Sequence, residues 1–475
     1  MFFKRFYDDA LAQASYMIGC QRTGEALVVD PNRDVRQYVD AARAENLRVT
    51  QVTETHIHAD FVSGARELAN HTGAQLLLSE EGGADWQYQY AAEAGATLLR
   101  DGDSFTVGNI RIDVMHTPGH TPEHISFVVT DTPASSAPWG ILTGDFVFVG
   151  DVGRPDLLER AAGQANTMEA GARTLFRSLA RFRELPDHVQ VWPGHGAGSA
   201  CGKALGALAS STVGYEKLGN WGVASTDENE FVCAVLAGQP EPPTYFAQMK
   251  RINREGPALI GESAVDSSAV VPQPADRLDD LFERGDVLVD TRSSADYAAG
   301  HVHGTLNIPF NSAFAGWAGW LLPNDRDIYL IVDSATWPRI GDLRRAMSMI
   351  GLDRVAGFFG AEAFAGRELD RVSLVAAADV AAMIDRGEAS IIDVRGRAEY
   401  EQGHIPGVPN IPVGHLSARI AELPTDKPIV VQCHLGTRSA IAASVLLGRG
   451  VRNVINLAGG IVAWQRAGLP VTEAA

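Results

Sequence analysis

The chain has 475 residues, is 45% hydrophobic and 21% charged, and carries a net charge of −18. That length exceeds what one hydrophobic core organises and predicts about three domains of ordinary globular composition. The acidic balance argues against nucleic acid or an anionic membrane as partner, because no basic cluster offsets phosphate repulsion, but it leaves small anionic substrates open.

Met1–Tyr16 is mixed, carries Asp8 and Asp9, and lacks an apolar core, so it does not read as a secretory signal. No apolar run reaches the roughly 18–20 residues that span a bilayer. Cys20, Cys201, Cys233 and Cys433 lie far apart with no CxxC spacing, which excludes a disulfide framework or zinc-finger pattern. A reducing, cytoplasmic setting is expected. Cys20, in the strand-like Tyr16–Cys20, and Cys233 read as buried hydrophobes.

Several β-rich runs then end in polar clusters. Val49–Thr53 leads to Thr55-His56-Ile57-His58-Ala59-Asp60, and Ile110–Met115 to Thr117-Pro118-Gly119-His120. Gly140–Leu142 leads to Thr143-Gly144-Asp145, and Val189–Trp192 to Pro193-Gly194-His195. Ligand-type residues thus recur just past strand ends, where α/β sheets place their sites. His and Asp are the types that bind borderline or hard divalent metals. The Ser- and Pro-containing stretch Glu262–Pro274 reads as a linker closing a first unit over 1–262.

Beyond it the sequence repeats. Asp290-Thr291-Arg292, Asp296-Tyr297, Gly300-His301 and Asn307-Ile308-Pro309 return as Asp393-Val394-Arg395, Glu399-Tyr400, Gly403-His404 and Asn410-Ile411-Pro412, every offset being 103 residues. Two copies of one domain are predicted, over 275–370 and 372–475. Short continuous apolar runs such as Ile391–Val394 and Ile429–Gln432, each followed by a helical pattern, predict buried parallel sheets flanked by helices.

The set HxHxD, PGH, TGD and PGH over residues 1–262 resembles the metallo-β-lactamase superfamily. The fold class that follows is α/β and α+β multidomain: an αββα metallo-β-lactamase sandwich, then two rhodanese-like doubly wound α/β domains. The usual first motif is HxHxDH, and here its last position is Phe61. Phenylalanine cannot coordinate a metal, so a two-metal hydrolytic mechanism is disfavoured and Asp60 and His195 remain as a depleted second site. His56, His120 and Asp145 keep the two-His, one-carboxylate set of non-haem Fe(II) oxygenases. The run from Thr143-Gly144-Asp145 to Gly153-Arg154-Pro155-Asp156 is similar to the persulfide dioxygenases. That resemblance implies one Fe(II) on His56, His120 and Asp145, zinc being the alternative metal. His58 and Asp60 would orient the ligands by hydrogen bonds. Arg154 would position an anionic thiol carrier, or else pair with Asp151 or Asp156. Cys201, in the small-residue loop after His195, could accept or present a persulfide or simply fill space.

Cys433-His434-Leu435-Gly436-Thr437-Arg438-Ser439 lies between an apolar strand and an apolar helix. A cysteine there meets the positive end of a helix dipole and a cradle of backbone N–H groups, both of which favour thiolate. Arg438 adds a planar cation suited to oxyanions. The loop resembles the active loop of rhodaneses, with Asp393-Val394-Arg395, Gly403-His404 and Leu457-Ala458-Gly459-Gly460 in support. The resemblance implies sulfane-sulfur transfer through Cys433, with Asp393 and His404 holding the fold. In the earlier copy Asp333 stands in the cysteine position, so residues 275–370 are expected to be catalytically inactive and to serve packing or oligomer contacts, with Trp317, Trp320 and Trp337 as ordinary core residues or else candidate interface aromatics.

The combined expectation is a persulfide dioxygenase joined to a thiosulfate sulfurtransferase. It uses a low-molecular-weight thiol persulfide such as that of glutathione, O2, and sulfite or thiosulfate, and works as a homo-oligomer in sulfide detoxification. The rivals are a zinc thioester hydrolase of the glyoxalase II type with a sulfur-relay module, and a non-enzymatic docking module.

Overall fold

Twelve strands build the first unit of the computed structural model, which describes residues 1–160, 167–261, 270–424 and 426–472. Strands β1 (Phe2–Asp8), β2 (Gln13–Cys20), β3 (Glu25–Val29), β4 (Arg48–Thr53), β5 (Gln75–Ser79) and β6 (Thr97–Leu99) form one sheet in sequence order. Its pairs are antiparallel up to β3 and parallel beyond it. Strands β7 (Ser104–Val107), β8 (Ile110–His116), β9 (Ile125–Asp131), β10 (Gly140–Gly144), β11 (Gln190–Pro193) and β12 (Ser211–Thr212) form a second, in the reverse order, with β10 and β11 parallel.

The two-residue alternation of β3 shows why the sheets stack. Leu27 and Val29 point into a core shared with Ile18, Ile112, Phe127 and Leu142, which lies between the sheets. Ala26 and Val28 point the other way, onto Tyr38, Ala41 and Leu68 of the helices Arg36–Ala44 and Ala65–Thr72. The outer face of the second sheet, through Ile141 and Val191, is covered by Leu175, Leu179 and Phe182 of the helix Met168–Glu184. Fully burying such a side chain contributes about 1.5–3 kcal/mol. The result is the expected αββα order of layers. Residues 262–269, most of the expected linker, lie outside the described residues.

The chain divides into Met1–Ser263 with Ser348–Gly351, and Ala264–Met347 with Leu352–Ala475. The second unit holds two four-stranded parallel sheets. One contains β13 (Val287–Asp290), β14 (Leu306–Asn307), β15 (Ile328–Ile331) and β16 (Val355–Phe359) in the order β14-β13-β15-β16. The other contains β17 (Ser373–Val375), β18 (Ser390–Asp393), β19 (Ile429–Gln432) and β20 (Val454–Leu457) in the order β17-β20-β19-β18.

The repeated motif is a hydrogen-bond device. In the first copy the Arg292 guanidinium grips both oxygens of Asp290 and donates to the Gly300 carbonyl; in the second, Arg395 does the same with Asp393 and Gly403. His301 stacks on Tyr297 and His404 on Tyr400, each pair with ring centroids 3.8 Å apart. Asn307 and Asn410 each donate to the carbonyls of the Asp and Arg of their own copy. These contacts pin the turn after the first strand of each copy, the fold-holding role expected of Asp393 and His404.

The two copies also share apolar packing. Tyr297, Leu306 and Trp317 join the cluster formed by Val394, Val431, Ile441 and Leu446, and the Ser444 hydroxyl accepts from the Asn307 N–H at 2.9 Å. Trp320 lies edge-on to His415 at 5.4 Å. Trp337, by contrast, is exposed and packs on Phe358 of its own copy. No helix of the described residues is long and apolar enough to cross a membrane.

Candidate metal centre and cysteine loop

The four sheet-end loops bring their ligand-type residues together. His56 follows β4, His120 follows β8, Asp145 follows β10 and His195 follows β11, and all four are buried. One ligand atom each from His56, His120 and Asp145 lies within 4.8 Å of the other two. Glycine makes the approach possible: Gly144 has φ +48°, and a Cβ at Gly194 would stand 2.8 Å from Asp145 Oδ1.

The hydrogen bonds fix which ring nitrogen faces inward. His120 Nδ1 is 3.0 Å from the Arg154 carbonyl, which only accepts, so Nδ1 carries the proton and Nε2 presents its lone pair. Thr55 Oγ1 donates to Asp30 Oδ2 at 2.9 Å and can therefore accept from His56 Nδ1 at 3.0 Å, leaving His56 Nε2 free as well. Both Nε2 atoms point at Asp145 Oδ2, at 3.5 Å from His120 and 3.9 Å from His56. Burial, reinforced by neighbouring imidazoles, holds the His56 pKa well below its usual value; burial also lowers that of His120. Two neutral imidazoles and a carboxylate whose oxygens lack any hydrogen-bond partner match the donor set of a divalent metal.

His58 does not join this group. Its Nε2 is 3.2 Å from Asp30 Oδ1. Burial alone would lower its pKa, but Asp30, with Glu54 and Asp60, lifts it to about 9, which favours the imidazolium in its pairing with Asp30. Neither His58 nor Asp60 hydrogen-bonds His56, His120 or Asp145 among the described residues; His58 instead packs its ring 4.2 Å from that of His56. Phe61 is fully buried with its ring 4.5 Å from His58, filling with hydrocarbon the place where a further imidazole is usual.

Arg154 forms the second of the two arrangements expected for it, an ion pair with Asp156. It is completely buried, donates through Nε and Nη2 to both oxygens of Asp156 at 2.8 and 2.7 Å, and through Nη1 to the Ala200 carbonyl. Its guanidinium braces the loop whose own carbonyl orients His120. Asp151, the other expected partner, is taken up by Trp221 Nε1 and the N–H groups of Lys203 and Ala204.

Cys201 is buried beside Phe148, Leu157 and Phe246, with one ligand atom each from Asp60, His195 and Cys201 within 4.8 Å of one another. Burial, together with the charges of Asp60 and Asp145, pushes its thiol well above the usual range. Cys20 is buried as expected, whereas Cys233 is exposed on the helix Glu228–Leu236. Three supporting groups escaped the sequence reading. Asp30 anchors Thr55 and His58, His124 accepts the Asp145 N–H at 3.1 Å, and Asn253 donates to the His58 and Phe61 carbonyls at 2.8 Å. Asp30 follows β3 as His56 follows β4, so its position past a strand end was the available signal.

In the second unit Cys433 Sγ accepts from the Gly436 N–H at 3.1 Å and the Ser439 hydroxyl at 3.4 Å, at the N-terminus of the helix Thr437–Gly448. Gly460, at φ +58°, lets the following turn close against the Cys433 carbonyl, where any Cβ would clash. Arg438 is not a free cation: it forms a two-pronged pair with Glu399 at 2.5 and 2.7 Å, which also holds the Glu399 carboxyl below its usual range. In the other copy Asp333 Oδ1 accepts from the Ala335 and Thr336 N–H groups at 3.0 and 2.7 Å. The carboxylate fills the cradle that holds the sulfur in the second copy.

Comparison with known proteins agrees with this architecture. The metallo-beta-lactamase superfamily profile matches residues 8–195, and the rhodanese-like domain profile matches residues 274–356 and 376–467. A solved metallo-beta-lactamase from Staphylococcus aureus is 43% identical, with a TM-score of 0.69 over 76% of this chain and 99% of that one. A sulfurtransferase of Allochromatium vinosum is 38% identical over 89 residues, 19% of this chain and 83% of its own length. A hydroxyacylglutathione hydrolase of Nitrosococcus oceani is 31% identical, covering 50% of this chain and 82% of its own, and the mitochondrial persulfide dioxygenase of Bos taurus is 26% identical, covering 40% and 67%. The chain spans only 53% of the length of two further curated relatives, both beta-lactamase hydrolase-like proteins of Xylella fastidiosa. The chain belongs to the metallo-β-lactamase superfamily and joins that fold to two rhodanese-like domains.

Proposed function

We propose that the first unit is a mononuclear Fe(II) persulfide dioxygenase and that the second copy of the rhodanese fold is a sulfurtransferase acting on the same class of sulfur compounds. The observation that carries the reading is the convergence of His56, His120 and Asp145 on one point while Phe61 removes a ligand that a hydrolytic pair of metals needs. Iron bound there supplies the electrons and open coordination positions that O2 and a soft persulfide sulfur require, which zinc, being d10, cannot. The chain does the rest. Arg154 O and Thr55 keep both imidazoles in the ligating tautomer. Phe61 and Phe148 are fully buried, with their rings beside those of His58 and His195. The imidazolium of His58 adds positive charge beside the site.

At the other centre, the Cys433 thiolate takes the outer sulfur of a persulfide, releasing the thiol, and sulfite takes that sulfur from Cys433 to give thiosulfate; the reverse uses thiosulfate as donor. The Gly436 N–H and Ser439 hydroxyl stabilise the sulfur through each exchange. Carrying both activities on one chain raises the local concentration of a shared intermediate. The substrates are a low-molecular-weight thiol persulfide, O2, and sulfite or thiosulfate, handled by a homo-oligomer in the cytoplasm as part of sulfide detoxification.

The identity to a hydroxyacylglutathione hydrolase favours a second reading, a zinc thioester hydrolase. Parallel assays separate the two. The Fe(II)-loaded protein should be inert toward a glutathione thioester, the Zn(II)-loaded protein should show no gain in that hydrolysis, and thiosulfate:cyanide sulfurtransfer should vanish in Cys433→Ser. Fast thioester hydrolysis by the zinc form would favour the hydrolase, and sulfurtransfer surviving in Cys433→Ser would remove that assignment.

A further inference from the structure

A pocket of about 250 Å³ opens on one flank of the Cys433 loop. Leu374 of β17, Leu435, Ala440 and Leu457 give it an apolar wall, and Leu374 and Leu435 are 57% and 62% exposed. The first rhodanese-like copy completes it with Ser294 and Ala295 of the helix Ser294–Ala299. The pocket lies toward β17 and β20, at one end of the sheet, whereas Glu399, the partner of Arg438, follows β18 at the other end. It therefore stands on the side of the loop away from that ion pair.

Two polar residues lining this pocket hold atoms without a partner. Asn456 is 3% exposed, and its Nδ2 donates to the Gly436 carbonyl at 3.2 Å. That bond fixes the orientation of the amide and leaves Oδ1 as a buried acceptor with no donor. Ser294 Oγ is buried and unpartnered too, and a hydroxyl can donate as well as accept. Buried polar groups left unmet are costly, so a ligand that meets both gains from each. Among the described residues no charged side chain lines the pocket. The complementary group donates to Asn456 Oδ1, accepts from the Ser294 hydroxyl, carries no charge and is flanked by methylenes. A secondary amide within a short aliphatic chain has that pattern, and an apolar pocket with a few placed polar groups is the usual form of a small-molecule site.

We propose that this pocket takes the uncharged amide arm of an organic persulfide and so selects the donor that loads Cys433 with sulfur. Gly436 joins the two places, since its N–H holds Cys433 Sγ at 3.1 Å and the same residue lines the pocket. In the transfer, the Cys433 thiolate attacks the outer sulfur of R–S–SH. A bond forms between Cys433 Sγ and that sulfur, the donor's S–S bond breaks, and the donor leaves as R–SH with the proton, so no external oxidant or reductant is consumed. Ser294, on the copy that lacks the cysteine, then sets specificity for the copy that has it. The assignment rests on the sulfurtransferase reading of Cys433 and names the class of its donor.

The test compares two donors of equal chain length, N-acetylcysteamine persulfide and n-pentanethiol persulfide, each supplying sulfur to sulfite in the anaerobic full-length protein, with thiosulfate as the product measured. The parent should show the higher kcat/KM with the amide donor. In Ser294→Ala the ratio of kcat/KM between the two donors should fall about 3–10-fold, the worth of one hydrogen bond, and the fall should lie in KM. Ala295→Trp, a substitution at an exposed position that fills the pocket, should raise KM for the amide donor relative to KM for thiosulfate in thiosulfate:cyanide sulfurtransfer. An unchanged donor ratio in Ser294→Ala, or an amide-donor KM that merely follows that of thiosulfate in Ala295→Trp, overturns the pocket assignment while leaving Cys433 as the sulfur carrier. No transfer from any donor in the parent, thiosulfate included, removes the Cys433 assignment itself and the pocket's role with it.

Discussion

Replacing Arg154 by Met tests whether this arginine braces the metal centre or meets a substrate. Its guanidinium and the Asp156 carboxylate are both fully buried, joined by bonds of 2.8 and 2.7 Å. Removing one member of such a pair costs about 3–5 kcal/mol, because the other stays buried and unpaired. Arg160 Nε, 3.3 Å from Asp156 Oδ2, retains part of the pairing, which puts the expected loss near the lower end, about 3 kcal/mol. The loop then loosens behind the Arg154 carbonyl that holds His120 Nδ1, and loss of such an orienting contact typically costs about 10–100-fold in metal affinity. Hydrogen exchange of residues 145–160 reads the first effect separately from the rest of this multidomain chain, and competition with a chelator reads the second. Asp156→Asn should move both in the same direction. An Arg154→Met protein with unchanged protection and metal affinity, but a raised KM for the persulfide, would refute the reasoning and return Arg154 to the substrate.

The remaining predictions concern charge and the cysteine loops. His58 titrates near 6.5 when unfolded and at about 9 here, so its pairing with Asp30 stabilises the metal-free fold fully below pH ~6.5 and is lost as pH rises through 9, by up to about 3 kcal/mol. Denaturation midpoints across that range should fall in the parent and stay flatter in Asp30→Asn; equal slopes would contradict the assignment. Glu399→Gln frees the Arg438 cation and should lower the KM for thiosulfate several-fold, one partly exposed charge being worth about 1 kcal/mol; a raised KM would mean that Glu399 itself assists binding. Asp333→Cys in a Cys433→Ser background should give no sulfurtransfer, because Trp337-Pro338-Arg339 forms a 3-10 turn where the active copy starts a long helix; recovered activity would show that the cradle alone suffices.

How much of this was legible in the sequence follows from where the information resides. His56, His120 and Asp145 announce themselves because ligands past strand ends come with the Gly and Pro residues that such turns need, and the 103-residue repeat is a linear signal. Asp30, His124 and Asn253 do not, because each is a single polar residue in unremarkable context whose partner is brought by the fold. The pair of Arg154 with Asp156, two residues along, is one of the two alternatives the sequence offers, whereas the pair of Arg438 with Glu399 is not, because tertiary geometry brings that carboxylate from 39 residues away. The apolar neighbours of Cys233 predict a buried residue, yet it sits on the solvent side of its helix.

The central claim is that this metallo-β-lactamase fold oxidises a persulfide on iron. The most direct measurement is O2 consumption by the Fe(II)-loaded protein supplied with glutathione persulfide, with sulfite and thiosulfate quantified alongside. The account predicts persulfide-dependent uptake that disappears in His120→Ala, and sulfite converted to thiosulfate only while Cys433 is present. Iron confirmed at the site with no O2 uptake from any persulfide tested would contradict it.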